Sequence, residues 1–539
     1  WQRKSVKTPQ SYLSVAKLGL GVERHKHAIN AMIFPRTMLK RGFCLLLLAT
    51  ATSGFSNGPT YSWSSSSSRL EMETKELVDP ILDISYSKNP LKRVRHFLGS
   101  LKQNSDQTKL HDAALEQTGG VWKTKFLGRQ SYGVTSYLPE ITNTMTKAEA
   151  QGFLVSSWPQ SVIDVLGPSS LIVDGPNVNQ GKKVLMEALS TKSIMNQSLP
   201  GIQSAVDSML VEWKESAKAG ETRTFASDIS NITYKVILAA VFGPNGLSES
   251  EYTELRRCSD QIVKGLFAVP IDVPILRELP FFRRYPRAMQ ARRDMKALLE
   301  KKVADRRLVM EEAGESFSPT GMLDAFLVQG NVMGNDEMID FCVDNVILSI
   351  FAGYDTTASV TTNLIFILSE CAQEEELSQI RQELETFDFT SLKTLPSSGI
   401  LDAVPSLKSA VYESFRFRTV VGSSFRKTTA PITVGKVEIP AGKTVQWSLM
   451  HGSKSEEFFD EPEKACPLRF LSSTSPLPYM FGYGKHACPG SNLAQIEILL
   501  TMKAFLCNFD YTLEKDQDTS PSVPFCAPKS GLKLTLKSR

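Results

Sequence analysis

The segment FGYGKHACPG, residues 481–490, places a single cysteine among three glycines, a proline and a histidine. It directly precedes an apolar, helical-looking segment with the sequence SNLAQIEILLTMKAFL. A thiolate at a helix N-terminus is stabilised by backbone N–H groups and by the positive end of the helix dipole, which lowers the thiol pKa. Pro489 suits the first helical position because it lacks a donor that would be unsatisfied there. The pattern therefore predicts that Cys488 is a thiolate ligand.

A second stretch that could do chemistry is AGYDTT, residues 352–357, within a long apolar segment. A transmembrane helix is one interpretation, but Asp355 would be expensive in lipid, so we predict a buried central helix. Within it Gly353 costs roughly 1 kcal/mol relative to alanine, and a threonine hydroxyl can bond the carbonyl four residues back. Two interpretations stay open: Asp355 and Thr356 form a proton donor and relay, or the glycine and threonines serve helix packing.

A third stretch, SAVYESFRFR at residues 409–418, carries Glu413 and Arg416 three positions apart on one helix face. An exposed pair with this spacing contributes only ~0.2 to 0.5 kcal/mol. The pair gains significance from its position, because it precedes both the segment CPLRF at residues 466–470 and the cysteine loop.

The elements that must position these residues are mostly helical. Residues 119–136 are bounded by glycines and rich in strand-forming residues, which predicts a hairpin. Further strands are predicted in APITVGKVEIPAGKTVQWSL, where glycines and prolines supply the turns. Helical periodicity dominates the chain between these regions, in KVLMEALSTKSIM, IQSAVDSMLVEWKESAK, DISNITYKVILAAVF, MQARRDMKALLEKKVADRRLVMEEA and the segment from Asp336 to about Ala372.

The composition excludes several classes of protein. A chain of 539 residues with 42% hydrophobic and 22% charged residues is globular, not disordered or fibrous. Its net charge of +4, with acids and bases interspersed, gives no argument for nucleic acid as a partner. The eight cysteines lack C-x-x-C spacing, so they predict neither a disulfide framework nor a zinc site.

The N-terminal region, residues 1–70, differs from the rest of the chain. It contains no acidic residue from Arg24 to Leu70, and a basic stretch, a short apolar core and a Ser-rich tract follow one another. That order is typical of a targeting presequence, and the apolar core is shorter than the ~20 residues of a membrane span. We expect residues 1–70 to target the protein to the endoplasmic reticulum membrane or to a plastid, with peripheral membrane contact. Residues 71–539 are expected to form a single catalytic domain.

Together the three motifs resemble those of the cytochrome P450 family. The cysteine loop matches the pattern F-x-x-G-x-x-x-C-x-G through Phe481, Gly484, Cys488 and Gly490. AGYDTT is similar to the central-helix motif of that family, and ESFR matches E-x-x-R, with Arg469 completing a Glu/Arg/Arg triad. The resemblance covers residues 75–539 and implies a mainly α fold with small β-sheets.

The resemblance also implies the cofactor, haem b, with Cys488 as its axial thiolate. Thiolate ligation pushes electron density onto the iron and favours O–O cleavage. Phe481 is expected to keep the sulfur dry, and N–H groups to tune it. The glycines of the loop, Gly484 and Gly490, are expected to let the backbone approach the flat macrocycle.

Basic residues are implied as partners of the haem propionates. His486 and Arg426 match positions where the family has such groups. Lys182 or Lys183 is a further candidate, although the family has Trp or His followed by Arg where this chain reads NVNQGKK.

The activity implied is that of a monooxygenase, which uses O2 and two electrons to oxidise a lipophilic molecule, with protons delivered through Asp355 and Thr356. Electrons are expected from a partner protein, either an NADPH-dependent reductase or a ferredoxin. Two alternatives are a peroxide-rearranging isomerase or dehydratase of the same fold and a non-catalytic haem-binding sensor. The intact Asp355-Thr356 pair disfavours both.

The substrate is indicated only by class. Residues 156–175 resemble a segment of the retinoid- and sterol-hydroxylating branch, which suggests an isoprenoid-derived substrate. Family geometry places the pocket at residues 351–354, 420–424 and 524–527. The individual candidates are Phe351, Ala352, Tyr354, Val420, Val421 and Phe525.

Overall fold

The computed structural model describes residues 119–539, except 127–128, 176–177, 245, 267–283, 331–334, 394–398, 473–474 and 523–524. The predicted presequence, residues 1–70, lies outside the described residues, as do the start of the predicted catalytic domain and Pro524 of the predicted pocket. Both domain boundaries therefore stay predictions.

Helices dominate the described residues, as predicted. Short helical turns at Thr191–Ser193, Ile194–Ser198, Gly314–Ser316, Phe389–Lys393, Ile400–Ala403, Arg469–Ser472 and Gly484–His486 supplement the longer helices. The longer helices are α1 (Pro139–Ala150), α2 (Gln160–Leu166), α3 (Val178–Ala188), α4 (Leu199–Ala219), α5 (Phe225–Phe242), α6 (Glu249–Leu266), α7 (Arg284–Ala313), α8 (Met322–Gly330), α9 (Asn335–Cys371), α10 (Glu374–Thr386), α11 (Pro405–Phe417) and α12 (Ser491–Leu506).

The strands form three small sheets. The strands are β1 (Val121–Phe126), β2 (Arg129–Thr135), β3 (Leu154–Ser156), β4 (Thr222–Thr224), β5 (Ser423–Thr428), β6 (Ile432–Val434), β7 (Val437–Ile439), β8 (Thr444–Ser448), β9 (Phe509–Leu513) and β10 (Lys533–Ser538). The largest sheet has the order β1-β2-β8-β5-β3, in which only β2 and β8 are parallel. A second sheet has the order β4-β10-β9, and β6 pairs with β7. The predicted hairpin at residues 119–136 is confirmed as β1 and β2.

Helix α1 packs against the largest sheet. Ile141, Met145 and Ala148 of α1 share a buried cluster with Val134 on β2 and Val445 on β8. Because these apolar residues recur at i, i+4 and i+7, they form one helix face that can cover a sheet. This packing brings the C-terminal turn of α1 beside strand β5.

The central helix α9 confirms the predicted segment, residues 336–372, to within one residue at each end. It packs against α5, where the Thr233 hydroxyl donates to the carbonyl oxygen of Tyr354 at 2.9 Å. A Cβ atom at Gly353 would lie 2.7 Å from side-chain atoms of Ile237. Gly353 therefore serves close packing of α9 on α5, and the packing interpretation is correct for this glycine.

One described helix, α5, is long and apolar enough by composition to cross a membrane. Within the fold, 67% of this helix is buried. Burial on this scale is typical of a core helix, and the contact with Gly353 accounts for part of it.

Candidate active site

The cysteine loop is held by its own backbone. The Cys488 N–H donates to the carbonyl oxygen of Phe481 at 2.8 Å, and the Ala487 N–H donates to that of Gly484 at 3.2 Å. Helix α12 begins at Ser491 with Gly490 as its N-cap. Pro489 consequently precedes the helix and does not occupy its first position, which corrects the prediction. The hydrogen bond that opens the helix runs from the Ala494 N–H to the carbonyl oxygen of Gly490 at 2.9 Å, so Gly490 and not Cys488 caps it.

The two glycines of the motif differ in the space around them. Gly484 has φ +58°, and a Cβ there would lie 2.8 Å from Oε2 of Glu149, so this glycine accommodates a neighbouring side chain. The expectation that Gly484 also lets the backbone approach a macrocycle stays a prediction. At Gly490 a Cβ would have only the Cys488 sulfur within 4 Å, at 3.9 Å, so space is open there.

Cys488 keeps accessible surface within a crowded region of the protein. Burial raises the pKa of the Cys488 thiol, whereas an N–H bond from Gly490 and the charge of Lys182 lower it. In the absence of a metal the net direction is upward. Metal coordination would deprotonate the thiol outright.

Arg426, predicted to bind a haem propionate, forms a buried ion pair with Glu149. Its Nε donates to Oε1 of Glu149, at the C-terminal turn of α1, and its Nη1 donates to the carbonyl of Phe425 at 2.9 Å. Strand β5 fixes Arg426 through pairing with Val445 on β8 and Ser156 on β3. Two of its N–H groups thus have partners in the described part of the chain, and the others remain available.

The two adjacent lysines of α3, Lys182 and Lys183, differ in their surroundings. Lys182 is partly buried, whereas Lys183 is exposed. Burial lowers the pKa of Lys182, while the charges of Glu149 and Cys488 act in the opposite direction. These interactions place Lys182, rather than Lys183, on the side of the cysteine.

His486 and Lys485 share Asp174 as a neighbour. Lys485 Nζ donates to Asp174 at 2.5 Å, and His486 Nε2 lies 3.8 Å from the same carboxylate. Burial raises the pKa of Asp174, but hydrogen bonds from Lys485 and the Ser156 N–H outweigh that effect and lower it. Burial, with the charge of Arg426, lowers the pKa of His486 to about 3, so the imidazole is neutral and can donate one hydrogen bond.

The polar residues of the AGYDTT segment, residues 352–357 of α9, lie on two faces of the helix. The Thr356 hydroxyl donates to the carbonyl oxygen of Ala352 at 2.7 Å, and Ala352 is exposed. Asp355 lies toward α6, where the charges of Arg256 and Asp260 act on it. Burial raises the pKa of Asp355 to about 6, and Arg256 opposes the rise. A carboxyl group with this pKa can exchange a proton near neutral pH.

The predicted pocket residues divide into two groups. Phe351 and Phe525 contact each other with ring centroids 6.1 Å apart, and Val421 is 37% exposed. Tyr354 and Val420 are only 2% and 3% exposed and belong to the hydrophobic core. The prediction that these two residues line a pocket is corrected: their side chains fill the space between elements.

Tyr354 owes its burial to its neighbours. Its ring lies 5.2 Å from that of Tyr234 in a T-shaped contact, and the Arg256 guanidinium lies 5.3 Å from its centroid. Both arrangements are favourable for an aromatic ring. They orient Tyr354 toward α5 and α6.

The structure brings Glu413, Arg416 and Arg469 together. Arg416 donates from Nε and Nη2 to the two oxygens of Glu413, both at 2.8 Å, and both side chains are fully buried. Arg469 Nε donates to Glu413 at 3.2 Å, and the Cys466 N–H donates to the same carboxylate at 2.8 Å. The arrangement can tie α11 to the 460–469 segment, but it offers no group to a substrate.

Three residues of the site have no counterpart in the sequence predictions: Glu149, Asp174 and Arg256. Glu149 and Asp174 carry no local motif and are recognised only by the cations that they meet in the fold. Arg256 lies on α6, a helix that the sequence analysis does not single out. Its apolar spacing, Leu255, Cys258 and Ile262, could have revealed that helix.

The residues around Cys488 fit a bound haem. Cys488 keeps accessible surface within a crowded region, and the open position at Gly490 can accept a flat group. Arg426 retains N–H groups without partners in the described residues, and the partly buried Lys182 interacts electrostatically with Cys488. Such donors suit carboxylates, which a haem carries at one edge.

Comparison with known proteins agrees with these features. A family model described as cytochrome P450 matches residues 90–536. An abscisic acid 8'-hydroxylase of Solanum lycopersicum is 27% identical over 429 residues, covering 77% of this chain and 83% of that protein. A taxoid 14-beta-hydroxylase of Taxus cuspidata is 25% identical over 434 residues, covering 77% and 78%.

Solved structures share the fold. A retinoic acid-bound cyanobacterial protein superposes with a TM-score of 0.65 at 21% identity, covering 80% of this chain and 94% of that chain. At this identity the likeness concerns the fold alone, and it confirms the predicted mainly α architecture with small sheets.

Proposed function

The chain belongs to the cytochrome P450 family, and we propose that Cys488 is the axial thiolate ligand of its haem b. Membership makes the protein a haem-thiolate monooxygenase that oxidises lipophilic molecules. The observation that carries the proposal is the position of Cys488, which directly precedes helix α12 and keeps accessible surface within a crowded region of the protein.

Haem, when bound, supplies the activation of O2 with two electrons from a partner. The residues of the chain bind and orient it. Arg426, Lys182 and the neutral His486 would hold its carboxylates, while the Gly490 N–H donates to the sulfur of Cys488. That hydrogen bond withdraws electron density from the sulfur and so tunes its donor strength.

Proton delivery is assigned to Asp355 and Thr356. Asp355, with its pKa raised to about 6, can hold a proton and release it near neutral pH. The Thr356 hydroxyl both donates to the Ala352 carbonyl and retains lone pairs that can accept. We assign the proton-holding role to Asp355 on the α6 side of α9, and the accepting role to the Thr356 hydroxyl, which lies beside the exposed Ala352.

The substrate that we propose is an isoprenoid-derived lipophilic molecule. The support comes from relatives that hydroxylate abscisic acid and taxoids. Phe351, Phe525 and Val421 provide an apolar surface suited to such a molecule. The electron donor is proposed to be an NADPH-dependent reductase or a ferredoxin.

Carbon monoxide binding to the reduced protein tests the ligand. The wild type should show the red-shifted Soret band of a thiolate-ligated haem, and Cys488→His should lose it. Cys507→Ser, at the C-terminal end of α12, is the matched control and should keep the band. A thiolate band retained in Cys488→His would assign the ligand to another cysteine.

The substrate class is tested by difference spectroscopy with terpenoids, carotenoids, sterols and fatty acids, followed by turnover with NAD(P)H and a reductase. We expect isoprenoid compounds to bind and to be hydroxylated with consumption of O2. Conversion of a hydroperoxide without reductant or O2 would instead identify the peroxide-rearranging class.

A further inference from the structure

A buried carboxylate next to the cysteine loop has half of its hydrogen-bonding capacity unused. Oxygen Oε1 of Glu149 accepts from Arg426 Nε, and the two side chains are 1% and 4% exposed. Oxygen Oε2 is buried without a partner in the part of the chain that the structure describes. An unsatisfied buried acceptor destabilises the fold. A pair that served stability alone would be expected to satisfy both oxygens.

Glu149 is also the point where several elements of the cofactor region meet. A Cβ at Gly484, in the cysteine loop, would lie 2.8 Å from Glu149 Oε2. The charge of Glu149 acts on Lys182 of α3, and its ion pair reaches β5 through Arg426. Of the two acids in this cluster, Asp174 is already bound by Lys485.

We propose that Glu149 is a positioning residue for the haem. It fixes the guanidinium of Arg426 so that the remaining N–H groups face a haem carboxylate, and its negative charge lowers the reduction potential of the haem. The inference rests on the proposed function, because it requires haem bound at Cys488. Its physical basis is that a fixed negative charge in a poorly solvated region favours the oxidised, more positive state of a nearby iron.

The substitution Glu149→Gln tests both parts, because it keeps the shape of the side chain and removes its charge. We expect the midpoint potential, measured by spectroelectrochemistry, to shift upward. We also expect haem transfer to excess apomyoglobin to accelerate roughly tenfold or more, the usual scale for losing a group that orients a ligand. Glu149→Asp, which restores the charge, should return the potential toward the wild-type value.

Asp324→Asn is the matched control. Asp324 is likewise buried and paired with an arginine, accepting from Arg306 at 2.7 and 2.6 Å, but it lies on α8 and outside the charged cluster. This variant should lower thermal stability without moving the potential or the rate of haem loss. If Glu149→Gln behaves like Asp324→Asn, the inference is wrong and the pair is structural.

A double-mutant cycle that combines Glu149→Gln with Arg426→Gln separates the effect of Glu149 on the position of Arg426 from the effect of its negative charge on the iron. In the Arg426→Gln background Glu149→Gln should no longer accelerate haem loss, because Glu149 acts on binding through Arg426, yet it should still raise the potential. The double variant contains no unpaired buried charge, so it provides the measurement if the single variant does not fold. Unchanged potential in both backgrounds, with the thiolate band intact, would overturn the inference and leave the assignment of Cys488 standing.

Discussion

Two buried glutamate–arginine pairs use their hydrogen-bonding capacity very differently. In the Glu413–Arg416 pair both carboxylate oxygens accept, and all five N–H bonds of Arg416 donate, either to Glu413 or to carbonyls in the 453–464 segment. In the Glu149–Arg426 pair one carboxylate oxygen has no partner within the described ranges, and Arg426 makes two hydrogen bonds.

The difference indicates what each pair is for. A saturated pair has no donor or acceptor left for a ligand, so its contribution is to stability. An incomplete pair costs stability in the isolated protein. The unused N–H groups of Arg426 can still donate to a bound carboxylate, whereas Oε2 of Glu149 keeps its negative charge without a donor. Chemically similar pairs can thus be assigned different roles by counting their unused donors and acceptors.

The largest effect should follow from Glu413→Ala. Removing one partner of a buried, hydrogen-bonded ion pair costs about 3 to 5 kcal/mol, a large share of a total stability of ~5 to 15 kcal/mol. We expect haem-free, aggregated protein, measured by the yield of soluble holoenzyme. Glu463→Ala, which removes an exposed partner of Lys454, should change the free energy of unfolding by less than ~1 kcal/mol. A stable, haem-loaded Glu413→Ala protein would show that the saturated pair is not needed for folding.

Arginine-to-lysine substitutions should sharpen the comparison. Lysine has three donors and lacks the planar fork, so Arg416→Lys leaves several buried carbonyls unsatisfied at about 1 to 3 kcal/mol each. Arg426→Lys keeps the charge opposite Glu149 and loses fewer existing bonds. We expect the unfolding midpoint in urea to fall much more for Arg416→Lys than for Arg426→Lys. We expect the rate of haem loss to rise for Arg426→Lys although its unfolding midpoint changes little. Equal losses of stability would remove the distinction between the pairs.

Asp355 should make stability depend on pH with the opposite sign to a salt-bridged acid. Its native pKa of about 6 exceeds the ordinary value, so between about pH 4 and 6 the unfolded state releases a proton that the native state keeps. Stability therefore falls as pH rises through this window, by up to about 3 kcal/mol. Asp355→Asn should raise the free energy of unfolding at pH 7 and leave it unchanged near pH 4. A pH-independent difference would contradict the raised pKa.

Thr356→Ala should have the smallest effect on stability and a specific effect on catalysis. The hydrogen bond from Thr356 to the Ala352 carbonyl is not part of the backbone ladder of the helix. The free energy of unfolding should therefore change by less than ~1 kcal/mol. The ratio of product to NAD(P)H consumed should fall, with hydrogen peroxide released instead. Thr362→Ala, which removes an equivalent bond to Ala358, is the control and should keep the ratio. An unchanged ratio in Thr356→Ala would exclude Thr356 from proton delivery.

Local signals in the sequence predicted much of the framework. The central helix, the first hairpin and the Glu413-x-x-Arg416 motif follow from spacing that is visible within short segments. Arg426 and Cys488 follow from family motifs, and the structure places both in surroundings that fit a haem.

The partners of these residues could not be predicted in the same way. Glu149 and Arg426 are separated by 277 positions, and no local pattern links them. The choice between Lys182 and Lys183 depends on which side of α3 meets the cysteine loop, which packing decides. For Gly353 the sequence left two interpretations open because it does not show that Ile237 lies opposite.

The parallel pairing of β2 with β8 has a consequence for how the protein is made. Thr135 on β2 pairs with Ser448 on β8, so the sheet beside Arg426 cannot close until most of the chain has left the ribosome. The thiol that is proposed to receive the haem, Cys488, emerges later still. At ~5 to 20 residues synthesised per second, the β1–β2 hairpin and α1 wait many seconds for these partners. On the proposed assignment of Cys488, cofactor loading is a late event, and the early elements must stay soluble without the strand that completes their sheet.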